Sequence, residues 1–195
     1  TELAELEDVQ PAALHNVSNA LAAAALARAY GVDPAAIKIG LQQFEPAAHR
    51  VAHVATINGV KYIDDSKATN AHAAQTAIYS FENVIWIAGG DAKGQDFTEL
   101  AKSVAKKLKA VVLLGRDRAE IKSALDKYAP AVPQYEVTNL APEAIDEVVA
   151  HAFKLAVAGD TVLLAPACAS WDMYQNYSQR GDMFARAVLR LTGEQ

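Results

Sequence analysis

From His49 onward the chain alternates short, almost unbroken apolar runs with stretches of helical composition, and few folds accept that order. The runs are residues 84–88 (VIWIA), 110–114 (AVVLL), 135–137 and 161–165 (TVLLA). Between them helices are expected over residues 71–79, 98–108, 118–128 and 141–158, with a last one around 180–191. A strand that is apolar on both faces needs cover on both faces. The pattern therefore predicts an α/β fold, a Rossmann-like, mainly parallel sheet with helices on both faces. Residues 51–57 alternate roughly with period two, Asn58-Gly59 is a hairpin turn, and residues 60–63 return as a strand. That hairpin adds an antiparallel member at one edge.

Ahead of the sheet pattern lies a short helical segment. Residues 16–30 (NVSNALAAAALARAY) are rich in Ala and Leu, and Gly31 is placed to stop them. Asp33 then caps a second helix with Pro34 in its first turn, and Glu45-Pro46 ends it. This piece is too short to be a complete domain. The expected division is residues 1–46 and 47–195. Thr1 at the start suggests processing, or excision from something longer.

A chain of 195 residues with 52% hydrophobic and 21% charged residues suits one ordinary domain and a smaller attached piece. Its net charge of -5 argues against a broad basic face for nucleic acid, although a local basic pocket for a small anion stays open. No apolar run approaches a membrane span, and the sole cysteine, Cys168, leaves no intrachain disulfide framework. Cys168 sits between alanines after an apolar strand, so an inert buried thiol is expected rather than a nucleophile. A cytoplasmic, monomeric protein is expected. His15, His49, His53, His72 and His151 show no metal-ligand spacing, and neither G-x-x-x-x-G-K-[ST] nor G-x-G-x-x-G occurs. A free-standing ATPase, a conventional NAD enzyme and a zinc hydrolase all lose support.

In open sheets of this kind ligands gather at loops beyond the carboxyl ends of strands, and the unusual residues fall there. Asp64-Asp65-Ser66-Lys67-Ala68-Thr69-Asn70 follows the hairpin, Gly89-Gly90-Asp91-Ala92-Lys93-Gly94 follows VIWIA, and Pro166-Ala167-Cys168-Ala169-Ser170 follows TVLLA. Ser66, Thr69 and Asn70 either cap the next helix or offer donors to an anion, and Lys67 adds a positive charge. Lys93 is a surface lysine of an ordinary turn or a partner for carboxylate or phosphate. Ser170 is a cap or a donor to a ligand carboxylate. His49-Arg50 is a linker pair or a nucleotide contact, and Asn16 with Asn19 puts two amides on one helix face, for capping or for an adenine edge.

Taken together, HNVSNALAAAALA, His49-Arg50, DDSKATN, GGDAKGQDF and LAPACASWDMYQNYSQRGDMF resemble the Mur ligase family, in the branch that adds D-glutamate. The resemblance runs in family order from His15 almost to the end. It implies that residues 1–46 are the helical tail of a central ATP-binding domain and residues 47–195 the amino-acid-binding domain. The implied reaction belongs to peptidoglycan synthesis: ATP phosphorylates the carboxylate of UDP-MurNAc-L-alanine, and the D-glutamate amine attacks the acyl phosphate. It further implies Lys67, Thr69, Lys93, Ser170 and Tyr177 for D-glutamate, and Asn16, Asn19, His49, Arg50 and Asp65 for the nucleotide. Many family members carry Phe where Tyr177 stands. Arg180 serves either the local fold or the substrate pocket. ATP and Mg belong to the full-length enzyme; none is expected on this part alone, which should not catalyse by itself. The alternatives are a related Mur or folylpolyglutamate-type ligase, and a non-catalytic nucleotide-binding module.

Overall fold

Successive side chains of a strand point to opposite faces, and the strands of this chain use that alternation to feed two separate cores. The computed structural model describes residues 3–9, 14–44 and 47–193. Packing divides the chain into two units, one ending at Ala47 and one beginning at Ala48.

The first unit holds a 3-10 turn (Leu6–Asp8), α1 (Leu14–Ala29) and α2 (Pro34–Gln42). Alanine and leucine give α1 its helix propensity, and Gly31 at φ 95 takes the left-handed turn that ends it. The Asp33 carboxylate accepts from the Ala35 amide at 2.9 Å, and Pro34 occupies the first turn, so α2 begins where its sequence directs. α2 ends at Gln42 with Gln43 as its cap, before the expected stop at Glu45-Pro46, which itself lies outside the described residues. Asp8 ties the 3-10 turn to α2 through Gln42 Nε2 at 2.7 Å and Lys38 at 3.4 Å. Leu21, Leu26, Tyr30 and Ile39 are exposed, and a cleft of about 520 Å³ is lined by Leu6, Val17, Leu21, Ala24 and Leu41 among others. Among the described residues of this unit only Ala24 and Ile37 are buried.

The second unit is a six-stranded sheet in the order β1-β2-β6-β3-β4-β5. Its strands are β1 (Ala52–Ile57), β2 (Val60–Asp64), β3 (Val84–Gly89), β4 (Leu108–Leu114), β5 (Gln134–Glu136) and β6 (Thr161–Leu164). Only β1 and β2 pair antiparallel, so the hairpin forms one edge as expected. Trp86 and Ala88 of β3 face a core closed by Ile78, Leu100, Ile121 and Leu125. These come from α3 (Ala71–Tyr79), α4 (Thr98–Val104) and α5 (Arg118–Tyr128). Ile85 and Ile87 face the other core, closed by Ile145, Val148 and Phe184 from α6 (Ala144–Leu155) and α7 (Tyr177–Arg190). All of these side chains are buried, and each large one contributes roughly 1.5–3 kcal/mol.

In the second unit three helices differ from expectation in extent. α4 stops at Val104 rather than reaching 108, because Leu108 pairs with Val84 and the Val84 amide takes the Lys107 carbonyl at 2.9 Å. Sheet pairing overrides local propensity there. α6 is shorter at both ends than the expected 141–158. At its start Asn139 accepts from the Ala141 amide, and beyond its end Asp160 accepts from the Val157 amide. α7 begins three residues before Arg180, because Asn176 accepts from the Gln179 amide at 2.9 Å and caps it. Among the described residues no helix is long and apolar enough to cross a membrane.

Candidate functional site

The sheet order places β2, β6 and β3 side by side, so the loops leaving their carboxyl ends are neighbours. Direct hydrogen bonds join them. The Ala167 amide donates to the Ala68 carbonyl at 2.9 Å, and Gly89 donates to Pro166 at 2.9 Å. Asp91 and Ala169 exchange two bonds of 2.9 Å each, a single β-bridge outside the strands. The glycines allow this approach: a Cβ on Gly89 would lie 1.9 Å from the Leu114 carbonyl oxygen, and one on Gly90 would lie 2.3 Å from that of Ala169.

In the first loop Asp64 holds the turn by accepting from the Ser66 amide at 2.8 Å. The Ser66 hydroxyl is directed inward. It donates to the Tyr177 carbonyl at 2.7 Å and accepts from Arg180 Nε at 2.9 Å. Lys67 therefore projects beside the start of α7, its ammonium 3.7 Å above the centre of the Tyr177 ring. That ammonium and Ser178 pull the phenol of Tyr177 below its usual range. Asn70 caps α3 by accepting from Ala73 at 2.9 Å, and Gln95 Oε1 accepts from Ala71 at 3.1 Å. The helix-capping reading of this loop thus describes Asn70, whereas Ser66 is part of an internal network. Thr69 sits between them, its amide bonded to the Lys67 carbonyl at 2.9 Å.

Lys93 occupies the second loop in the left-handed region (φ 52), its amide donating to Asp91 at 3.1 Å. Arg116, at the end of β4, bonds Asp91 at 2.9 Å and Asp117 at 3.0 Å, and Asp172 accepts from its amide at 2.8 Å. Ser170, in the third loop, is buried, and its carbonyl accepts from Tyr174 at 2.8 Å. Cys168 is fully buried, and burial pushes its thiol up to about 12, which leaves it without thiolate character at neutral pH.

Arg180 is the residue whose setting the sequence left most open. Its side chain is 1% exposed, and its guanidinium donates to the Ser66 hydroxyl, the Ser66 carbonyl at 2.9 Å and the Cys168 carbonyl at 3.2 Å. Burial lowers it to about 10, so it stays cationic near neutral pH. It joins the first loop to the third from below.

His49 and Arg50 stand where the second unit begins. Both ring nitrogens of His49 face carboxylates, Asp64 at 2.7 Å and Asp182 at 3.7 Å, and its ring lies edge-on to Tyr177 at 6.3 Å. His49 and Val51 take left-handed conformations (φ 63 and 49), a costly state for a β-branched residue, and Asp65 accepts from the Val51 amide at 3.3 Å. Asp65 is buried, and that burial raises its carboxyl to about 6 against the pull of the Val51 amide and Arg50. His49, Arg50 and Asp65 are thus brought together beside Lys67, whose amide donates to the His49 carbonyl at 3.1 Å. Asn16 and Asn19 lie on α1 of the first unit, three positions apart on one side of the helix. Sequence reading assigned no role to Gln95, Arg116 or Asp182, although Gln95 lies within GGDAKGQDF and Asp182 within LAPACASWDMYQNYSQRGDMF; Arg116 lies in no motif.

Among the described residues no group of three or more His, Cys, Asp or Glu is placed to hold a metal ion. The sequence contains no G-x-x-x-x-G-K-[ST] segment.

The family described as Mur ligase, glutamate ligase domain, matches residues 49–168. The UDP-N-acetylmuramoylalanine--D-glutamate ligase of Thermobifida fusca is 58% identical over 193 residues, covering 99% of this chain and 42% of that protein. The ligase of the same description from Streptomyces avermitilis is 57% identical, covering 96% of this chain and 40% of its own length. The chain therefore spans about two fifths of these curated relatives. Among solved structures, a UDP-N-acetylmuramate-alanine ligase from Thermotoga maritima superposes with a TM-score of 0.63 at 20% identity, over 94% of this chain and 39% of its own. A pseudomurein peptide ligase type C from Methanothermus fervidus gives 0.67 at 17% identity, over 94% and 37%. At those identities the likeness is one of fold.

Proposed function

Because the chain belongs to the Mur ligase family, we propose that it is the part of an ATP-dependent ligase that receives D-glutamate for joining to UDP-MurNAc-L-alanine. One observation carries the reading: three loops bearing Lys67 and Thr69, Lys93, and Ser170 are hydrogen-bonded to one another at the carboxyl ends of adjacent strands. In this reading the Lys67 and Lys93 ammoniums offset the two carboxylates of the amino acid, Thr69 and Ser170 donate to them, and the Tyr177 ring packs against the carbon chain. The work is positioning: the amine is held for attack on an acyl phosphate formed elsewhere in the protein.

Residues 1–46 act as the helical tail of a central ATP-binding domain, a role that suits a helical unit whose Leu6, Leu21 and Leu26 stay exposed. Residues 47–195 are the amino-acid-binding domain. Asn16, Asn19, His49, Arg50 and Asp65 are assigned to the nucleotide, with Arg50 and Asp65 near ribose or phosphates. ATP supplies the phosphoryl group and Mg its charge neutralisation; neither is assigned a cradle in this chain. The setting is a monomer in the cytoplasm, with no nucleic-acid or membrane partner.

The test uses the longer protein that contains this chain. Phosphate release from ATP with UDP-MurNAc-L-alanine should require D-glutamate and should be lost or much weakened with L-glutamate or meso-diaminopimelate. Lys67→Met should raise the D-glutamate KM by at least about tenfold, since a buried charge-assisted contact is worth about 1.5–3 kcal/mol. Turnover that is indifferent to D-glutamate would overturn the assignment.

A further inference from the structure

One side chain outside the residues assigned above touches all three loops. Gln95 closes the turn that carries Lys93: its own amide donates to the Ala92 carbonyl at 3.0 Å. Its carboxamide oxygen accepts from the Ala71 amide at 3.1 Å, immediately after Thr69-Asn70. Its carboxamide nitrogen donates to the Ala92 carbonyl at 3.0 Å and to the Ala167 carbonyl at 3.3 Å, three residues before Ser170.

The chemistry of the head group restricts what can stand there. Two hydrogens on nitrogen meet two carbonyl oxygens while the oxygen meets an amide, so the carboxamide has one satisfactory orientation. A glutamate lacks the donors, a lysine lacks the acceptor, and an asparagine is one methylene too short to keep the same reach. The roots of the loops do not depend on Gln95, because the Asp91–Ala169 pair and the Gly89–Pro166 bond hold them. What Gln95 adds is the placement of the turn at Lys93, a non-glycine residue in a left-handed conformation, against the other two loops.

We propose that Gln95 is a positioning residue for the amino-acid site, its carboxamide setting Lys93 against Thr69 and Ser170. This rests on the D-glutamate reading above. A shift of the Lys93 ammonium weakens its attraction to a ligand carboxylate and leaves the nucleotide-facing residues His49, Arg50 and Asp65 in place.

Initial rates of phosphate release in the longer protein, with D-glutamate and ATP varied in turn, test the proposal. Gln95→Ala should raise the D-glutamate KM about tenfold, and Gln95→Glu should raise it further because its carboxylate would face two carbonyl oxygens. For both, the ATP KM should stay within about twofold. Hydrogen exchange at the Ala71 amide should quicken in Gln95→Ala. A wild-type enzyme without D-glutamate dependence fails the functional reading itself. An active, D-glutamate-dependent wild type whose variants keep the parental D-glutamate KM fails the proposal alone, even where they melt earlier. Gln95→Met keeps the volume of the side chain; if it and Gln95→Ala both fail to fold, Gln95 is structural and the proposal falls.

Discussion

Asp65 is held at a cost, and replacing it with Asn should release that cost in a pH-dependent way. Burial is the largest influence on its carboxyl, which rises from 3.8 to about 6, with Asp64 adding to the rise and the Val51 amide and Arg50 opposing it. A carboxyl whose folded value lies above its unfolded one favours the fold fully below pH 3.8, and that contribution is lost as pH rises through about 6. A shift of roughly two units corresponds to about 3 kcal/mol at 1.36 kcal/mol per unit. Asp65→Asn keeps an acceptor for the Val51 amide and removes the titration. The difference in unfolding free energy between variant and parent should therefore grow by about 2–3 kcal/mol from pH 4 to pH 8, most of it before pH 6.5. Urea titrations at a series of pH values, followed by emission of the fully buried Trp86, measure that difference directly. Taking differences at each pH cancels the shared groups that do not interact with Asp65. A difference that stays flat with pH, or grows towards acid, would refute the reasoning. Because Asp65 is also assigned to the nucleotide, the same variant should lose activity as it gains stability.

Gly181→Ala should destabilise the fold although alanine is the better helix former by about 1 kcal/mol. The new Cβ would lie 2.2 Å from His49 Nδ1 and 2.7 Å from Asp64 Oδ2, so the pair must separate; a net loss of about 1–2 kcal/mol in urea is expected, and a gain would contradict the geometry. Arg180→Met removes a buried charge and strands the Ser66 and Cys168 carbonyls at once. The second effect should win by about 3 kcal/mol, read as a lower urea midpoint with an unchanged slope, and an unaltered midpoint would show that those bonds contribute nothing.

Much of the fold was legible because its signals are local. The apolar runs at 84–88, 110–114 and 161–165 could only be strands covered on both faces, and Asn58-Gly59 forms its hairpin with both residues at positive φ (51 and 78). Asp33-Pro34 started α2, and α3 and α5 fall on the residues their composition marked. The three polar loops were legible as loops, and the motifs within them carried the family. The end of α4 and the start of α7 were not legible from propensity, since one was set by pairing with β3 and the other by the Asn176 cap.

What the sequence alone determined, then, was which segments are strands and helices, which faces are apolar, and which family the loops belong to. Only the tertiary structure decided that β6 lies between β2 and β3, because no local periodicity records the order in which strands pair. That order brings Arg180 onto Ser66, 114 positions away, lets Gln95 span three loops, and sets His49 between Asp64 and Asp182. Such contacts depend on distance in space, and their hydrogen-bond partners have no fixed spacing along the chain.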